Sequence, residues 1–198
     1  MKKISKSELK SIYNREIDFL EDGILNISNP YHFFCLTTTN GKNASSRTVV
    51  LRNLKKNNLS FYFNADYRSP KVKHLLSNDF CFALFYDNKR KMQLRASCRS
   101  IIHYKNKLSK KIWDKTPLQS RKCYMGKFNP SQDLKEWHPN IPKKYLKKDP
   151  DKKDSQSGYD NFTVINLKVN SIDILELHHD GHIRYRVESN GNYVFVAP

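Results

Sequence analysis

The chain has 198 residues, an apolar share of 38%, an aromatic share of 12% and a formal net charge of +17. That length supports one well-buried core, so a single domain over residues 1–198 is expected, and the plentiful aromatics separate it from disordered chains of similar polarity. No run approaches the roughly 18 apolar residues of a membrane helix, and the opening residues lead into polar helix rather than the apolar core of a signal peptide. The expectation is a cytoplasmic protein with no membrane partner.

The charge raises the question of nucleic acid, because clustered cations gain affinity by releasing phosphate counterions. Here 26 lysines stand against 10 arginines, spread over the whole length. This dispersal looks more like a general lysine bias than a reading surface, and counts against nucleic acid as the main partner. The cysteines, Cys35, Cys81, Cys98 and Cys123, form no Cys-x-x-Cys pair and read as reduced, mostly buried thiols.

In chain order, Ser5-Lys6-Ser7-Glu8 matches the capping box, and Leu9, Ile12, Tyr13, Ile17 and Leu20 follow at helical spacing, which predicts an amphipathic helix to about Glu21 within an N-terminal segment of residues 1–24. From Phe33 the pattern turns to strand, broken at Asn40-Gly41, the strongest local hairpin signal, and resumed from Arg47 to Leu51. Leu59–Asn64 is a third strand, entered from the polar turn at residues 55–58. Ser69 then offers a helix N-cap, with Pro70 at the first helical position. Strands follow at Phe80–Tyr86 and Met92–Tyr104, and two short helices are expected between Lys107 and Met125, broken at Pro117.

Residues 129–160, with several prolines and a lysine-aspartate mixture, are too polar to carry a core and read as a long loop. A closing strand series is expected at Phe162–Lys168, Ile172–Leu177, Ile183–Val187 and Tyr193–Val196, with turns at Asn170-Ser171, Asp180-Gly181 and Asn190-Gly191. Turns lie mostly between strands, so the expected fold class is mainly β, an antiparallel barrel with peripheral helices.

Two stretches carry chemistry. In Arg47-Thr48-Val49-Val50-Leu51-Arg52, strand alternation sets Arg47 on the face of Val49 and Leu51 and sends Arg52 the other way. A charge on an apolar face calls for an anion; the plain alternative is a strand-end arginine reaching to solvent. Arg68-Ser69-Pro70-Lys71 places a hydroxyl, two cations and helix N-terminal amides directly after a strand, as a phosphate cradle would, or as an ordinary capped helix would. Gln93 could hydrogen-bond the edge of a heteroaromatic ring. His178, His179 and His182 lack a carboxylate or cysteine at matching spacing, so no metal site is expected. Phosphate-loop and dinucleotide glycine motifs are absent.

Taken in order, Arg47 to Leu51, Phe61-Tyr62, Ser69-Pro70-Lys71, Gln93 and His182-Ile183-Arg184-Tyr185 resemble the pyridoxamine 5'-phosphate oxidase-like family of FMN-binding split barrels, from about Tyr31 to Pro198. The resemblance implies a split β-barrel homodimer with non-covalent FMN at the interface. It implies that Arg47, Arg68, Ser69 and Lys71 hold or adjoin the FMN phosphate. Backbone of Thr48, Val49, Val50, Leu51, Arg52, Tyr62 and Phe63 would line the flavin ring, with Gln93 and Arg184 adding polar contacts. Ser120, His182 and Arg184 are the residues implied to meet a small-molecule substrate.

The chain departs from the strict oxidase at Pro70, Leu175, Ile112 and Thr116, where the oxidase has a second cation, a tryptophan and its substrate-phosphate groups. Residues 160–162, the Ile172–Leu177 stretch and the ending Val196-Ala197-Pro198 look more like the family's poorly characterised FMN-binding branch. The expected activity is therefore FMN-dependent redox chemistry on an open substrate. The other readings are a non-catalytic flavin or small-ligand module and a basic nucleic-acid protein.

Overall fold

The computed structural model describes residues 4–198. Ser5 caps α1 (Lys6–Asp22) through the box read from the sequence: its Oγ accepts the Glu8 N–H at 3.2 Å, and the Glu8 carboxylate accepts the Ser5 N–H at 2.8 Å. Leu9, Ile17 and Leu20 form the buried stripe of α1, and Glu16 is buried with them. A 3-10 turn at Pro30–His32 leads into β1 (Phe33–Thr39) and β2 (Ala44–Val50), paired antiparallel from Phe33↔Val50 to Thr39↔Ala44. Gly41 turns this hairpin at φ +89°, backbone that favours glycine.

After β2 come β3 (Asn53–Lys55), β4 (Ser60–Asp66), α2 (Pro70–Ser77), β5 (Phe80–Asp87) and β6 (Met92–Tyr104). Then follow α3 (Lys107–Lys115), α4 (Leu118–Arg121), α5 (Lys152–Ser155), β7 (Phe162–Glu176), β8 (Ile183–Glu188) and β9 (Tyr193–Phe195). The nine strands of the described residues form one antiparallel sheet in the order β2-β1-β5-β6-β7-β4-β3, with β8 pairing β7 and β9 pairing β8. The sheet does not close. Between residues 129 and 160 the only regular pieces are the turn Lys143–Tyr145, α5 and the start of the turn Gln156–Asn161.

One sequence expectation is overturned. Asn170-Ser171 is not a turn between two strands: β7 runs unbroken through it for 15 residues. Neighbouring backbone supplies the bonds that a turn would forgo. The Val169 N–H donates to the Leu59 carbonyl at 3.0 Å, the Ser189 N–H donates to the Asn170 carbonyl at 2.9 Å, and the Ser171 and Ser97 hydroxyls meet at 2.9 Å. The short strand β3 is an addition, formed because Asn53 to Lys55 pair with Ser60 to Tyr62.

The chain divides into two compact units. The first comprises Met1–Phe63, Asn78–Ile101 and Asn166–Pro198; the second comprises Asn64–Ser77 and Ile102–Ile165. The core of the first is an aromatic cluster of Tyr31, Phe34, Phe61, Phe63 and Phe85, with adjacent ring centroids 4.9–6.5 Å apart. Each such side chain contributes about 1.5–3 kcal/mol by leaving water. In the second unit the fully buried Trp113 sits among Tyr124, Tyr159 and Phe162. The Arg121 guanidinium lies 4.8 Å from the Trp113 ring and donates to the Trp113, Asp114 and Thr116 carbonyls and to Ser155 Oγ.

Candidate functional site

In the first unit, β2 begins at the hairpin and buries alternate residues, so Arg47 shares a face with Ser45, Val49 and Leu51. Its register partner is the fully buried Leu36. The guanidinium donates to the Leu36 carbonyl at 3.1 Å, to Thr38 Oγ1 at 2.8 Å and to Ser45 Oγ at 2.7 Å. All three acceptors are neutral, and among the described residues no carboxylate lies within ion-pair distance. Burial pulls the Arg47 pKa below the ordinary arginine value, with a smaller opposing effect from Cys35. A half-buried cation bonded only to neutral acceptors can still take an anion as its counter-charge.

β2 is also the edge strand of the sheet, so half of its backbone groups face no neighbouring strand. Two amides just beyond it are already used: Leu51 N–H donates to the His32 carbonyl at 2.9 Å, and Arg52 N–H to the Tyr62 carbonyl at 2.8 Å. Tyr62 and Phe63 are buried on β4, which has β7 on one side and β3 on the other, and the Tyr62 carbonyl is the one that accepts from Arg52, so the structure does not show their main chain free for a ligand. Gln93 is half-buried on β6, in register with Tyr86, and its carboxamide has no hydrogen-bond partner among the described residues.

Arg184 on β8 is committed elsewhere. Its Nε donates to Asp173 Oδ1 at 3.2 Å, its Nη2 to Oδ2 at 3.0 Å, and its Nη1 to the Ala197 carbonyl at 3.2 Å. Arg95 approaches the same Asp173 at 3.2 Å, so two guanidinium groups share one buried carboxylate and one positive charge is left over. Hydrogen bonding to Asp173, then its charge, raises the Arg184 pKa. His182 is exposed, and its Nδ1 accepts the His178 N–H at 3.2 Å.

In the second unit, β4 ends at Asp66 and α2 starts at Pro70. Arg68 forks onto Asp66, with Nε to Oδ1 at 3.0 Å and Nη2 to Oδ2 at 2.7 Å, and donates from Nη1 to the Gly126 carbonyl at 3.1 Å. These hydrogen bonds to Asp66 raise the Arg68 pKa. Ser69 is buried, and Lys71 Nζ donates to its Oγ at 3.3 Å. Ser120 is half-buried on α4.

Asp66, Asp173 and Arg95 were missed by sequence reasoning. A signal for Asp173 exists: a carboxylate between Ile172 and Ile174 in an apolar strand must have a cationic partner on its own face.

Residues 17–104 match the family model described as "Pyridoxamine 5'-phosphate oxidase, FMN-binding domain". That segment, somewhat under half of the chain, is similar to the pyridoxamine 5'-phosphate oxidase-like family. A search of curated protein sequences gives no match. Among solved structures, a pyridoxamine 5'-phosphate oxidase-related, FMN binding protein from Nostoc punctiforme is similar over 100% of both chains, at 14% identity and a TM-score of 0.67. PhzG from Burkholderia lata, solved with tetrahydrophenazine-1-carboxylic acid, is similar over 96% of this chain and 92% of its own, at 14% identity and a TM-score of 0.68. A Clostridium acetobutylicum protein of the pyridoxinephosphate oxidase family, related to general stress protein 26, covers 93% and 97% at 12% identity and a TM-score of 0.53. The shared property at these identities is the fold, mainly β and of the split-barrel type that the family resemblance implied.

The donor set fits FMN in one specific respect. FMN, the cofactor that the matching model names, ends in a phosphate, and Arg47 is a half-buried arginine whose charge no carboxylate offsets among the described residues; Arg121 shares that property but is closed in by carbonyls of its own unit. Arg68 and Arg184, by contrast, meet Asp66 and Asp173. No helix among the described residues is long and apolar enough to cross a membrane.

Proposed function

We propose that the chain is an FMN-dependent oxidoreductase acting as a homodimer on a small, planar or phosphorylated molecule. The observation that carries this reading is Arg47, desolvated on the core face of β2 and bonded only to neutral acceptors. Arg47 binds the FMN phosphate, and the family resemblance gives Lys71 and Ser69 the same role; within the second unit Arg68 holds the loop after β4 through Asp66 and Gly126. Open main-chain groups of Thr48 to Val50 and the Gln93 carboxamide hydrogen-bond the polar edge of the flavin ring. Bound FMN supplies the two-electron carrier, and the protein supplies its position and surroundings. Arg184, Ser120 and His182 orient the substrate.

The second copy is suggested by the open side of the sheet in the first unit. Phe33 of β1 and Phe82 and Tyr86 of β5 lie on that side at 47%, 37% and 43% exposure, beside Cys35 and Leu84. A continuous apolar strip across paired strands needs a cover, and a two-fold axis lets the same strip on a second chain provide it.

The test is reconstitution. Purified protein mixed with FMN and passed through a desalting column should retain flavin, read from its visible absorption, and reductive titration should then bleach the retained flavin. Replacing Arg47 and Lys71 together by alanine should weaken FMN affinity about a hundredfold, as loss of two charge-assisted phosphate contacts implies. Replacing Lys147 and Lys148 together should leave it within about twofold. Equal losses in both pairs would assign retention to net charge alone, and no uptake at all would end the FMN reading. Retention without turnover of any planar or phosphorylated substrate would instead mark a flavin-binding module.

A further inference from the structure

A cavity of about 460 Å³ opens within the first unit and is lined by none of the residues assigned to FMN. Its walls are the turn before β4, the centre of β7, the end of β8 and Tyr13 of α1. The unbroken course of β7 creates it: Val169 bonds to Leu59 on one side and Asn170 to Ser189 on the other, so the middle of the strand floors a recess beneath the helix.

We propose that this pocket binds a small aromatic carboxylate. Three features select that chemistry. Tyr13 and Tyr193 meet edge to face, centroids 6.0 Å apart and planes at 86°, and present aromatic surface to the pocket. Leu59, Ile172 and Val187 add apolar lining. The pocket volume falls in the range of sites for one- or two-ring ligands, about 300–1,000 Å³.

The charge comes from Lys168. Among the described residues no carboxylate lies within ion-pair distance of its ammonium group. The other lining lysine, Lys56, is more than offset by Asp18 at 2.8 Å and Glu21 at 2.7 Å, and the lining Glu188 is paired with Arg186. Neither tyrosine hydroxyl has a hydrogen-bond partner among the described residues. Burial raises the pKa of both, with Tyr193 adding to the effect at Tyr13, so each stays a protonated O–H donor at neutral pH. Lys168 as the unpaired lining cation, with two neutral donors over an apolar, aromatic lining, suits an amphipathic anion, and a neutral ligand would leave Lys168 unused.

Naphthoate is the probe, with naphthalenemethanol as its uncharged counterpart, each titrated into the full chain by calorimetry with and without added FMN. Naphthoate should bind at least tenfold more tightly than the alcohol, with the same affinity in both states of the protein. Lys168→Gln should weaken naphthoate about tenfold and leave the alcohol unchanged, since only a charge-assisted bond is lost. Tyr13→Phe, which keeps the ring, should cost about threefold. Arg47→Ala should change FMN retention and not naphthoate binding, which separates failure of this site from failure of the FMN reading. The proposal is overturned by no naphthoate binding at millimolar concentration, by equal affinity for acid and alcohol, or by a Lys168→Gln variant that binds like the parent.

Discussion

At the scale of single residues, the network around Glu16 is the most demanding. Glu16 is fully buried on α1, where its carboxylate accepts from Arg15 at 2.9 Å, from Arg90 at 2.8 Å and from the Tyr31 hydroxyl at 2.8 Å. Arg90 also binds Asp87 and rests 3.8 Å from the Phe19 ring centroid. Removing the central carboxylate leaves Arg90 with Asp87 alone and the buried Tyr31 hydroxyl without its acceptor, so Glu16→Ala should lower stability by about 2–3 kcal/mol in urea denaturation. Tyr31→Phe removes one hydrogen bond and should cost about 1–3 kcal/mol. Asp87 gives the pH arm. Burial alone would raise its pKa, but the Arg90 side chain and the Arg90 and Lys89 amides outweigh burial and hold it below the ordinary carboxylate value. A carboxylate with a lowered folded pKa stabilises above its unfolded pKa and loses that contribution as pH falls through the folded one. The stability gap between the parent and Asp87→Asn should thus be full near neutrality and shrink below about pH 4. A gap constant down to pH 2 would mean that Asp87 acts through shape alone.

At the scale of elements, the loop after α4 is locked to the segment joining β4 and α2 within the second unit. Gly126 offers its carbonyl to Arg68, and Asn140 clasps Phe128 with its carboxamide, accepting at 2.9 Å and donating at 2.9 Å. A methyl group at Gly126 would collide with the Asn140 carbonyl oxygen and side chain. Gly126→Ala should therefore cost about 1–3 kcal/mol by overpacking and speed amide exchange in residues 126–142, while the Trp113 cluster stays protected. Uniform loss of protection across the second unit would contradict the local account. Such elements also show what could be read in advance. The capping box of α1, the Asn40-Gly41 hairpin and the face of Arg47 follow from short-range periodicity, and the sequence reveals them. Asn170-Ser171 has turn composition, yet it runs as strand because Leu59 bonds the adjoining Val169 backbone from 110 residues away and Ser189 bonds the Asn170 backbone from 19 residues away. The carboxylates holding Arg68 and Arg184 were hidden for the same reason. Asp173 reaches Arg184 only through the register of β7 and β8, which pairs Leu175 with Arg184 and Asp173 with Arg186. The cations were therefore legible as candidates, whereas their counter-charges depended on strand pairing.

At the scale of the whole molecule, the proposed dimer must form against the chain's own charge. Each copy carries a formal +17, and bringing two together across an apolar sheet face concentrates like charge that is screened over about 10 Å at 0.1 M salt. The interface strip is itself mixed: Phe82 and Leu84 of β5 stand in register with Ser97 and Arg95 of β6, and Phe80 with Arg99. Hydrophobic burial favours association, and long-range repulsion opposes it. Adding salt weakens the second far more than the first. Sedimentation should accordingly show the dimer tightening about tenfold or more between 20 and 200 mM sodium chloride, opposite to the trend of an interface held by ion pairs. Phe82→Glu places a carboxylate in the strip without touching the buried core, and should give a folded monomer at both salt concentrations. If FMN is shared across the two-fold axis, that monomer should also fail to retain the cofactor although Arg47, Lys71 and Gln93 are all intact. A Phe82→Glu chain that stays dimeric would move the interface to another face. A monomer with full FMN affinity would separate the cofactor site from the dimer, and would leave Arg47 to bind its anion within one chain.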